Sequence, residues 1–274
     1  MQENWGEGRH ADEWPATMTP NPFDLTGLTA LVSGAGRGLG RAMAQELARA
    51  GAKVVCGARS MAEVEETAAE IVAAGGHGFA VHLDATKPDD CRRMVDRAVA
   101  SSGHLDIAVV NHGIGFATPA EETTAEQFRR MVEINLAGCF NVAQAAGRQM
   151  IRQGRGGSIV LISSTGSLVG FRGLAAYGAS KGGVDQLCRQ LAVEWGPHDI
   201  RVNCVNPGYT THNMRGTDAR HAAGDLNDEM RRMTPMGRRG TPEEIAAPVV
   251  FLASPSASFI SGVVIPVDGG YCAM

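Results

Sequence analysis

The sequence lacks the long apolar runs that membrane proteins carry. None of its hydrophobic stretches reaches the ~18 consecutive residues of a transmembrane helix, although 44% of the 274 residues are hydrophobic. Its opening residues, MQENWGEGRHADEWP, hold no apolar segment of the kind found in secretory signal peptides. We therefore expect a cytoplasmic protein with no membrane partner.

Cysteine, aromatic residues and basic charge are also sparse or scattered. The six cysteines form no C-x-x-C pair, which excludes the usual zinc-site and thioredoxin-like spacings. We expect reduced thiols that pack as small hydrophobic groups, and no metal. Aromatic residues make up only 5% of the chain, and the net charge of −4 comes with no basic stripe, so nucleic acid is not an expected partner.

Glycine, in contrast, is abundant, with 35 residues spread through the chain. Residues 1–23 are rich in glycine, proline and charge and show no periodicity, which predicts a flexible N-terminal extension. Residues 24–274 show no internal linker and no repeat, which predicts a single domain.

Short apolar runs alternate with longer helical stretches along residues 24–274. The strand-like runs are TALVSG from Thr29, then Lys53–Gly57, Phe79–Leu83, Ile107–Val110, Ser158–Ile162, Arg201–Val205 and Val263–Val267. The helical stretches are RAMAQELARAG from Arg41, then Ala62–Ala74, Asp89–Ala100, Ala125–Arg152 and Ala175–Trp195. This alternation predicts an α/β fold: a single-domain, Rossmann-type, doubly wound parallel sheet of about seven strands with helices on both faces.

A glycine-rich loop, Ser33–Gly40, joins the first strand to the first helix. Its spacing is G-x-x-x-G-x-G, and its place between strand and helix indicates a dinucleotide site. Gly34 allows a tight turn, Gly38 lets the helix N-terminus meet a pyrophosphate, and Gly40 lets the helix lie close to the strand.

The end of the second strand indicates which dinucleotide binds. An NAD site places a carboxylate there for the ribose 2′-hydroxyl, but the segment Gly57–Ser60 holds Arg59, and the nearest acid is Glu63 in the next helix. Arg59 and Arg37 could clamp a 2′-phosphate. We predict NADP(H); the alternative is that Arg59 is a solvated surface charge and the enzyme takes NAD(H).

Tyr177 and Lys181 lie four residues apart in a helical stretch, so both project from one face. Ser164 precedes Tyr177 by thirteen residues, just past the strand SIVLIS, and Asn135 lies in EINLAG. At these residues the chain resembles the short-chain dehydrogenase/reductase family in its compact single-domain branch, over essentially all of residues 24–274.

The resemblance extends to further motifs. The glycine loop starts at Ser33 where the family has Thr, the adenine-side acid matches Asp84, and the Asn-Asn-Ala-Gly turn matches 110–113, keeping Asn111 and Gly113. The Pro-Gly motif is similar to Pro207–Gly208. The cofactor contacts that these matches imply are Ser33, Gly34, Gly36, Arg37, Gly38, Leu39, Gly40, Arg59, Ser60, Asp84, Ala85, Asn111, Gly113, Tyr177, Lys181, Pro207, Gly208 and Thr211.

The resemblance implies interconversion of a secondary alcohol and a ketone by hydride transfer, without a metal. A free tyrosine, with a pKa of about 10, is a poor base at neutral pH, and a neighbouring ammonium favours its phenolate. Tyr177 would be the acid/base group, Ser164 would hydrogen-bond the substrate oxygen, and Lys181 would assist Tyr177 and hold ribose hydroxyls. Asn135 would order a water that links Lys181 to solvent. The sequence as a whole is similar to family members that act on sugars, sugar acids or 3-oxoacyl chains.

The sequence departs from the family pattern at several places. His212 stands where the family often has a nicotinamide-contacting Thr, so Thr211 is the alternative. His112 replaces a small residue and is expected to be packed and satisfied, although it could contact substrate. Arg172 is expected to be a solvated loop arginine, although it could recognise a carboxylate or phosphate. Residues 209–235 are predicted to form a substrate lid.

Two further readings remain open from the sequence. A non-catalytic dinucleotide sensor or scaffold would keep the fold without the chemistry, and the intact Ser164, Tyr177 and Lys181 argue against it. Epimerase or dehydratase chemistry on a nucleotide sugar usually comes with an added C-terminal domain. The resemblance also implies a homotetramer built from helix pairs, here Ala125–Arg152 and Ala175–Trp195.

Overall fold

The computed structural model describes residues 21–211 and 230–274. Residues 1–20 of the predicted N-terminal extension, His212 and most of the predicted lid therefore lie outside the described residues. Phe23 packs edge-on against Phe251, with ring centroids 6.0 Å apart, which attaches the beginning of the described chain to the domain.

A single parallel sheet forms the centre of the domain, and the prediction of about seven strands is confirmed. Its strands lie in the order β3-β2-β1-β4-β5-β6-β7, so the direction of winding reverses between β1 and β4. In such sheets, ligands bind outside the carboxyl ends of the strands at this reversal. The strands are β1 Thr29–Ser33, β2 Lys53–Ala58, β3 His77–His82, β4 Ile107–Val110, β5 Gly157–Ile162, β6 Ile200–Pro207 and β7 Val264–Val267.

Helices cover both faces of the sheet, as predicted. They are α1 Gly38–Arg49, α2 Met61–Ala73, α3 Pro88–Ser102, α4 Ala125–Val132, α5 Gly138–Gln153, α6 Ala175–Trp195 and α7 Pro242–Ala253. Successive strand residues enter opposite cores, as the two-residue period of a strand requires. Val32 packs with α1, α2 and α7 on one face, whereas Leu31 packs with α3, α5 and α6 on the other.

Two helical features differ from the prediction. The stretch predicted as one helix from Ala125 contains a π-helical turn, Glu133–Ala137, between α4 and α5. Helix α7 was not predicted, although Thr241 caps it by accepting from the Glu244 N–H while the Glu244 side chain accepts from the Thr241 N–H. Such a capping box is a local signal of a helix N-terminus.

The cysteines behave as the prediction of packed thiols requires. All six are free, and all but Cys272 are buried. Burial raises the pKa of the Cys56 and Cys139 thiols to about 12, so these groups stay protonated near neutral pH. Within residues 21–211 and 230–274, no His, Cys, Asp or Glu cluster suited to a metal ion occurs, and none of the described helices is long and apolar enough to cross a membrane.

Candidate active site

A cavity of about 1230 Å³ opens at the carboxyl edge of the sheet. Its volume exceeds the roughly 300–1,000 Å³ of a typical small-molecule pocket, so it has room for an elongated ligand. The glycine loop lines the cavity together with the ends of β2, β4, β5 and β6. The predicted residues on its wall are Gly34, Gly36, Arg37, Gly38, Leu39, Arg59, Ser60, Asp84, Ala85, Asn111, Gly113, Ser164, Tyr177, Lys181, Pro207 and Gly208.

The glycine loop is packed too closely for side chains. Gly34 has φ +70°, in the left-handed region that favours glycine, and its carbonyl accepts from Asn111 Nδ2 at 3.3 Å. A Cβ on Gly40 would lie 2.0 Å from the Gly34 oxygen and 2.5 Å from Asn111 Nδ2. This contact draws α1 against the turn, and α1 begins at Gly38 with backbone N–H groups that suit a phosphate.

Charged residues of both signs lie at the end of the cavity near β2. Arg37, Arg59 and Glu63 line it, with Arg59 exposed. A Cβ on Gly36 would lie 2.8 Å from the Glu63 Cβ, so the glycine loop and the start of α2 touch. Glu63 therefore belongs to this wall, although it follows the strand end by a helical turn.

Asp84 is held ready to accept hydrogen bonds at the same end. Its Oδ1 accepts from the Thr86 backbone N–H at 3.1 Å and from Thr86 Oγ1 at 2.8 Å. Burial raises the carboxyl pKa, but these hydrogen bonds and the cations Lys87 and Arg59 outweigh burial, so the pKa of Asp84 lies below its usual value. The carboxylate is thus ionised at neutral pH.

Tyr177 and Lys181 project from one face of α6 into the cavity. The Lys181 Nζ lies 5.9 Å from the centroid of the Tyr177 ring and donates to the Ile162 carbonyl at 2.9 Å. Lys181 is only 3% exposed. An ammonium carries three donors, and this bond fixes one of them against the end of β5.

Ser164 begins the short turn that follows β5, and Gly166 of that turn lies against both the Ser164 hydroxyl and the Tyr177 ring. A Cβ on Gly166 would lie 3.5 Å from both Ser164 Oγ and the Tyr177 ring. Ser164 Oγ accepts from the Gly166 N–H at 3.1 Å. Because this bond uses a lone pair, the hydroxyl proton stays available for an oxygen in the cavity.

Asn135 lies behind the cavity wall, in the π-helical turn between α4 and α5. Its Oδ1 accepts from the Ile114 N–H at 2.8 Å, and its Nδ2 donates to the Ile114 carbonyl at 2.9 Å and to Ser180 Oγ at 3.1 Å. The amide thus connects the loop after β4 to α6. A Cβ on Gly113 would lie 3.2 Å from Asn135 Oδ1 and 3.6 Å from Lys181 Nζ, so both groups face this glycine.

Three other predicted residues also lie off the wall. The Ser33 side chain is buried and accepts from the Asn111 N–H at 3.1 Å, which ties β1 to the turn after β4. Gly40 lies beneath the glycine loop. Thr211 is exposed, and its N–H donates to the Gly240 carbonyl at 2.9 Å.

His112 is packed but only half satisfied, which differs from the prediction of a satisfied histidine. Its Nδ1 lies 2.9 Å from Ser33 Oγ, whereas its buried Nε2 makes no hydrogen bond of good geometry with the described residues. A weak interaction with the Ile134 backbone opposes the effect of burial on the ring. A Cβ on Gly138 would lie 2.9 Å from this Nε2, so the glycine that opens α5 makes room for the ring. Burial and the positive charge of Lys181 lower the pKa of His112 to about 4.

Aromatic side chains line the cavity, and one of them was not expected from the sequence. Tyr271, near the end of the chain, stacks on Phe171 at 5.5 Å between ring centroids and meets Tyr209 edge-on at 5.6 Å. All three residues line the cavity, as do Phe116, Met230 and Met233. The chain has only three tyrosines, and all of them, including Tyr177, line this cavity. The positions of the tyrosines in the sequence could therefore have indicated the residues of the site.

Comparisons with known proteins agree with this geometry. The family model described as enoyl-(acyl carrier protein) reductase matches residues 34–272. A short-chain type dehydrogenase/reductase from Mycobacterium marinum superposes with a TM-score of 0.86 and 36% identity, covering 91% of this chain and 97% of that one. The chain belongs to the short-chain dehydrogenase/reductase family.

Two other relatives have more specific names. The 2-dehydro-3-deoxy-D-gluconate 5-dehydrogenase of Escherichia coli is 36% identical over 93% of this chain and 100% of its own length. A gluconate 5-dehydrogenase from Burkholderia cenocepacia, solved in complex with NADP and tartrate, has a TM-score of 0.87 and 32% identity, covering 92% and 98% of the two chains. This short-chain dehydrogenase/reductase is therefore an oxidoreductase enzyme, as the sequence indicated.

The depressed pKa of His112 predicts a pH-dependent stability for this short-chain dehydrogenase/reductase. The unfolded histidine binds a proton below pH 6.5, but the folded one only near pH 4. The unfolded state therefore holds more protons in this window, and the free energy of unfolding falls as the pH drops from 6.5 to 4. The loss attributable to His112 is at most about 3.5 kcal/mol, at ~1.4 kcal/mol per pKa unit.

Urea unfolding at several pH values between 6.5 and 4 measures this contribution. We expect H112N to show a shallower decline in stability than the unchanged protein, because the replacement does not titrate. The exposed His198 provides the control, and H198N should keep the original slope. An H112N slope equal to that of the unchanged protein would show that His112 does not titrate as described.

Proposed function

We propose that this enzyme is an NADP(H)-dependent oxidoreductase that interconverts a secondary alcohol and a ketone, with Tyr177 as the acid/base group. The observation that carries the proposal is the convergence of Tyr177, Lys181 and Ser164 at one point of the cavity wall. A hydroxyl beside a buried cationic side chain can exchange a proton with substrate, and a second hydroxyl can stabilise the substrate oxygen.

Each residue has a separate task in the proposed mechanism. Tyr177 takes the proton of the alcohol during oxidation or gives a proton to the carbonyl during reduction. Ser164 donates its hydroxyl proton to the same oxygen, since its lone pair is already engaged by Gly166. The remaining donors of Lys181 hold ribose hydroxyls, and Asn135 orders a water behind Lys181. A bound nicotinamide supplies or accepts the hydride.

Replacing the Tyr177 hydroxyl tests this assignment. We expect Y177F to lower kcat/KM by about 10²–10⁴-fold, the usual range for a general acid/base group. Binding of NADPH, followed by its fluorescence, should stay within about three-fold, because the ring and Lys181 remain. Y209F, which removes another hydroxyl of the same cavity, should have a much smaller effect. Full turnover by Y177F would refute the proposal.

Support for NADP(H) comes from Arg37 and Arg59 at the β2 end of the cavity. Two guanidinium groups can bind the dianionic 2′-phosphate, whereas the single carboxylate of Glu63 would favour the 2′-hydroxyl of NAD(H). The related Burkholderia cenocepacia enzyme was solved with NADP. The two arginines at this end favour NADP(H), with NAD(H) as the weaker cofactor.

Arg59 is exposed at the cavity rim, so it can be replaced without disturbing the core. We expect R59A to raise the KM for NADPH by about 10–100-fold, the value of one or two charge-assisted hydrogen bonds. The KM for NADH should change by less than about three-fold, because NADH carries no 2′-phosphate. R92A, at an exposed arginine outside this cavity, is the control. Equal changes for both cofactors would contradict NADP(H) selection by Arg59.

For the substrate, we propose a sugar acid. Two relatives are named for gluconate derivatives, and one of them was solved with tartrate, a hydroxy acid. On this chain, Arg172 and Arg130 line the cavity, as do the aromatic residues Phe171, Tyr209 and Tyr271. Arginine binds carboxylates in bidentate fashion, and aromatic faces can contact the C–H groups of a sugar chain. A 3-oxoacyl chain is the alternative, since the matching family model is described as an acyl-carrier reductase.

A pair of substrates that differ in one group tests the role of Arg172. D-gluconate and D-sorbitol share their other hydroxyls, but only gluconate carries a carboxylate. We expect R172A to raise the KM for gluconate by about 10–100-fold, the value of a hydrogen bond to a charged group. Any activity on sorbitol should be unchanged, and R189A, outside the cavity, should affect neither. Equal losses on both substrates would exclude carboxylate recognition by Arg172.

For assembly and location, we propose a cytoplasmic homotetramer. Apolar side chains remain exposed on the helices that the sequence analysis assigned to subunit contacts: Phe128 of α4, Phe140 of α5 and Val193 of α6 are 44%, 38% and 76% exposed. Exposed apolar groups that cluster on adjacent helices are typical of subunit interfaces. Free, buried cysteines are consistent with a reducing compartment.

A further inference from the structure

Asp185 is a buried carboxylate that the proposed mechanism does not use. It lies on α6, one turn beyond Lys181, and is only 3% exposed. It does not line the cavity. No lysine, arginine or histidine of the described chain lies within ion-pair distance of it. Burying a carboxylate costs free energy unless it is hydrogen-bonded. The hydrogen-bond partners of Asp185 therefore show which part of the structure it positions.

Three neutral side chains surround Asp185. Its Oδ2 lies 2.5 Å from Ser167 Oγ and 3.1 Å from Asn206 Nδ2. Its Oδ1 lies 3.3 Å from Asn206 Nδ2 and 3.5 Å from Cys204 Sγ. Every one of these partners can donate a proton to the carboxylate. Asp185 is thus an acceptor at the centre of a ring of donors.

The same donors also reach the main chain of Ser164. The Ser164 carbonyl lies 2.7 Å from Ser167 Oγ and 3.1 Å from Asn206 Nδ2, and it accepts from the Ser167 N–H at 3.0 Å. Two partners of Asp185 therefore touch the one residue whose hydroxyl is proposed to bind the substrate oxygen. Asn206 is fully buried, and Cys204 Sγ lies 3.3 Å from its Oδ1, which fixes the orientation of the amide.

The Asp185 carboxylate decides how the few donor protons around it are shared. Ser167 has one hydroxyl proton, and Asn206 Nδ2 has two N–H groups. An acceptor as strong as Asp185 takes the Ser167 proton. The Ser167 oxygen then accepts one Asn206 N–H at 2.7 Å, which that N–H shares with Asp185, and the second Asn206 N–H reaches the Ser164 carbonyl. Without the carboxylate, the Ser167 proton is released to the Ser164 carbonyl and the Asn206 amide loses an acceptor, so the hydrogen bonds behind the turn that begins at Ser164 rearrange.

We propose that Asp185 is a positioning residue that holds Ser164 in register with Tyr177 through Ser167 and Asn206. The inference rests on the proposed function, because it takes Ser164 to be the substrate-oxygen donor. Tyr177, Lys181 and Asp185 follow one another at four-residue intervals on α6. The same face of this helix therefore carries the Tyr177 hydroxyl and, through Asp185, positions the Ser164 hydroxyl. A misplacement of a catalytic group by about 1 Å can cost ~10²-fold in rate.

The experiment compares kcat, KM and NADPH affinity in D185A, D185N, S167A and S164A, each in the full-length protein. D185A should lower kcat at least ten-fold with little change in NADPH affinity. D185N should recover most of kcat, because its amide oxygen can accept from Ser167 and Asn206 in place of Oδ2. S167A removes one small hydroxyl, so it should fold even where D185A does not, and should lower kcat about three- to ten-fold.

The matched control is V184A on the same helix. Val184 is fully buried in the core between α6 and the sheet and has no polar side-chain group, so V184A loosens α6 without removing a hydrogen bond of Asp185. It should lower the melting temperature but leave kcat within about two-fold. A V184A loss of kcat equal to that of D185A would show a general effect of helix stability and would overturn the proposal.

The double variant S164A/S167A decides whether the effect passes through Ser164. If Ser167 and Asp185 act by positioning Ser164, S167A should lower kcat in the unchanged protein and have no further effect in the S164A background. An equal loss in both backgrounds overturns the positioning role. If S164A itself retains full activity, the proposed role of Ser164 fails, which separates that failure from failure of the Asp185 inference alone.

Discussion

The site depends on a charged side chain that is held almost out of contact with water. Lys181 is 3% exposed, and its Nζ donates to the last carbonyl of β5, that of Ile162. A buried cation is tolerated only where surrounding groups satisfy it. The Ile162 carbonyl satisfies one of its donors, and the loop at Gly113 and the amide of Asn135 meet around the same nitrogen.

That convergence explains the irregular turn between α4 and α5. A regular helix through residues 125–153 would have placed Asn135 at another angle, and π-helical turns of this kind often occur at functional sites. The extra residue lets the Asn135 amide pair with both backbone groups of Ile114, at 2.8 and 2.9 Å. The irregular turn thus allows Asn135 to fix the loop after β4 beside Lys181.

Local patterns were sufficient to predict the fold and much of the candidate site. Apolar runs of strand length located all seven strands to within two residues at most ends, because buried parallel strands carry continuous apolar residues. The glycine loop and the Tyr177–Lys181 pair could be read directly, since both depend on short spacings. Helix α7 was missed although its capping box, Thr241 to Glu244, was present in the sequence.

The features that could not be predicted from the sequence are contacts between segments that are distant along the chain. Tyr271 reaches the cavity only because β7 lies beside β6 at the edge of the sheet, and no local pattern near residue 271 reports that neighbour. The surroundings of His112 were also missed, because its ring nitrogen lies against Gly138, which belongs to another helix. In the sequence, Asp185 has the pattern of an ordinary helix residue. Its role depends on Asn206 of β6 and Ser167 of the turn after β5, which contact it only in the folded structure.

Helix α6 is therefore more than a scaffold for a tyrosine and a lysine. Its Tyr177 and Lys181 face the cavity, and Asp185 continues the same face into the interior, where it orders the donors behind Ser164. Because a helix moves as a rigid body over such a short span, a shift of α6 would displace the phenol and the support of the serine together. The Tyr177 and Ser164 hydroxyls, which the proposed mechanism brings to one substrate oxygen, are thereby positioned by the same element rather than by two independent loops.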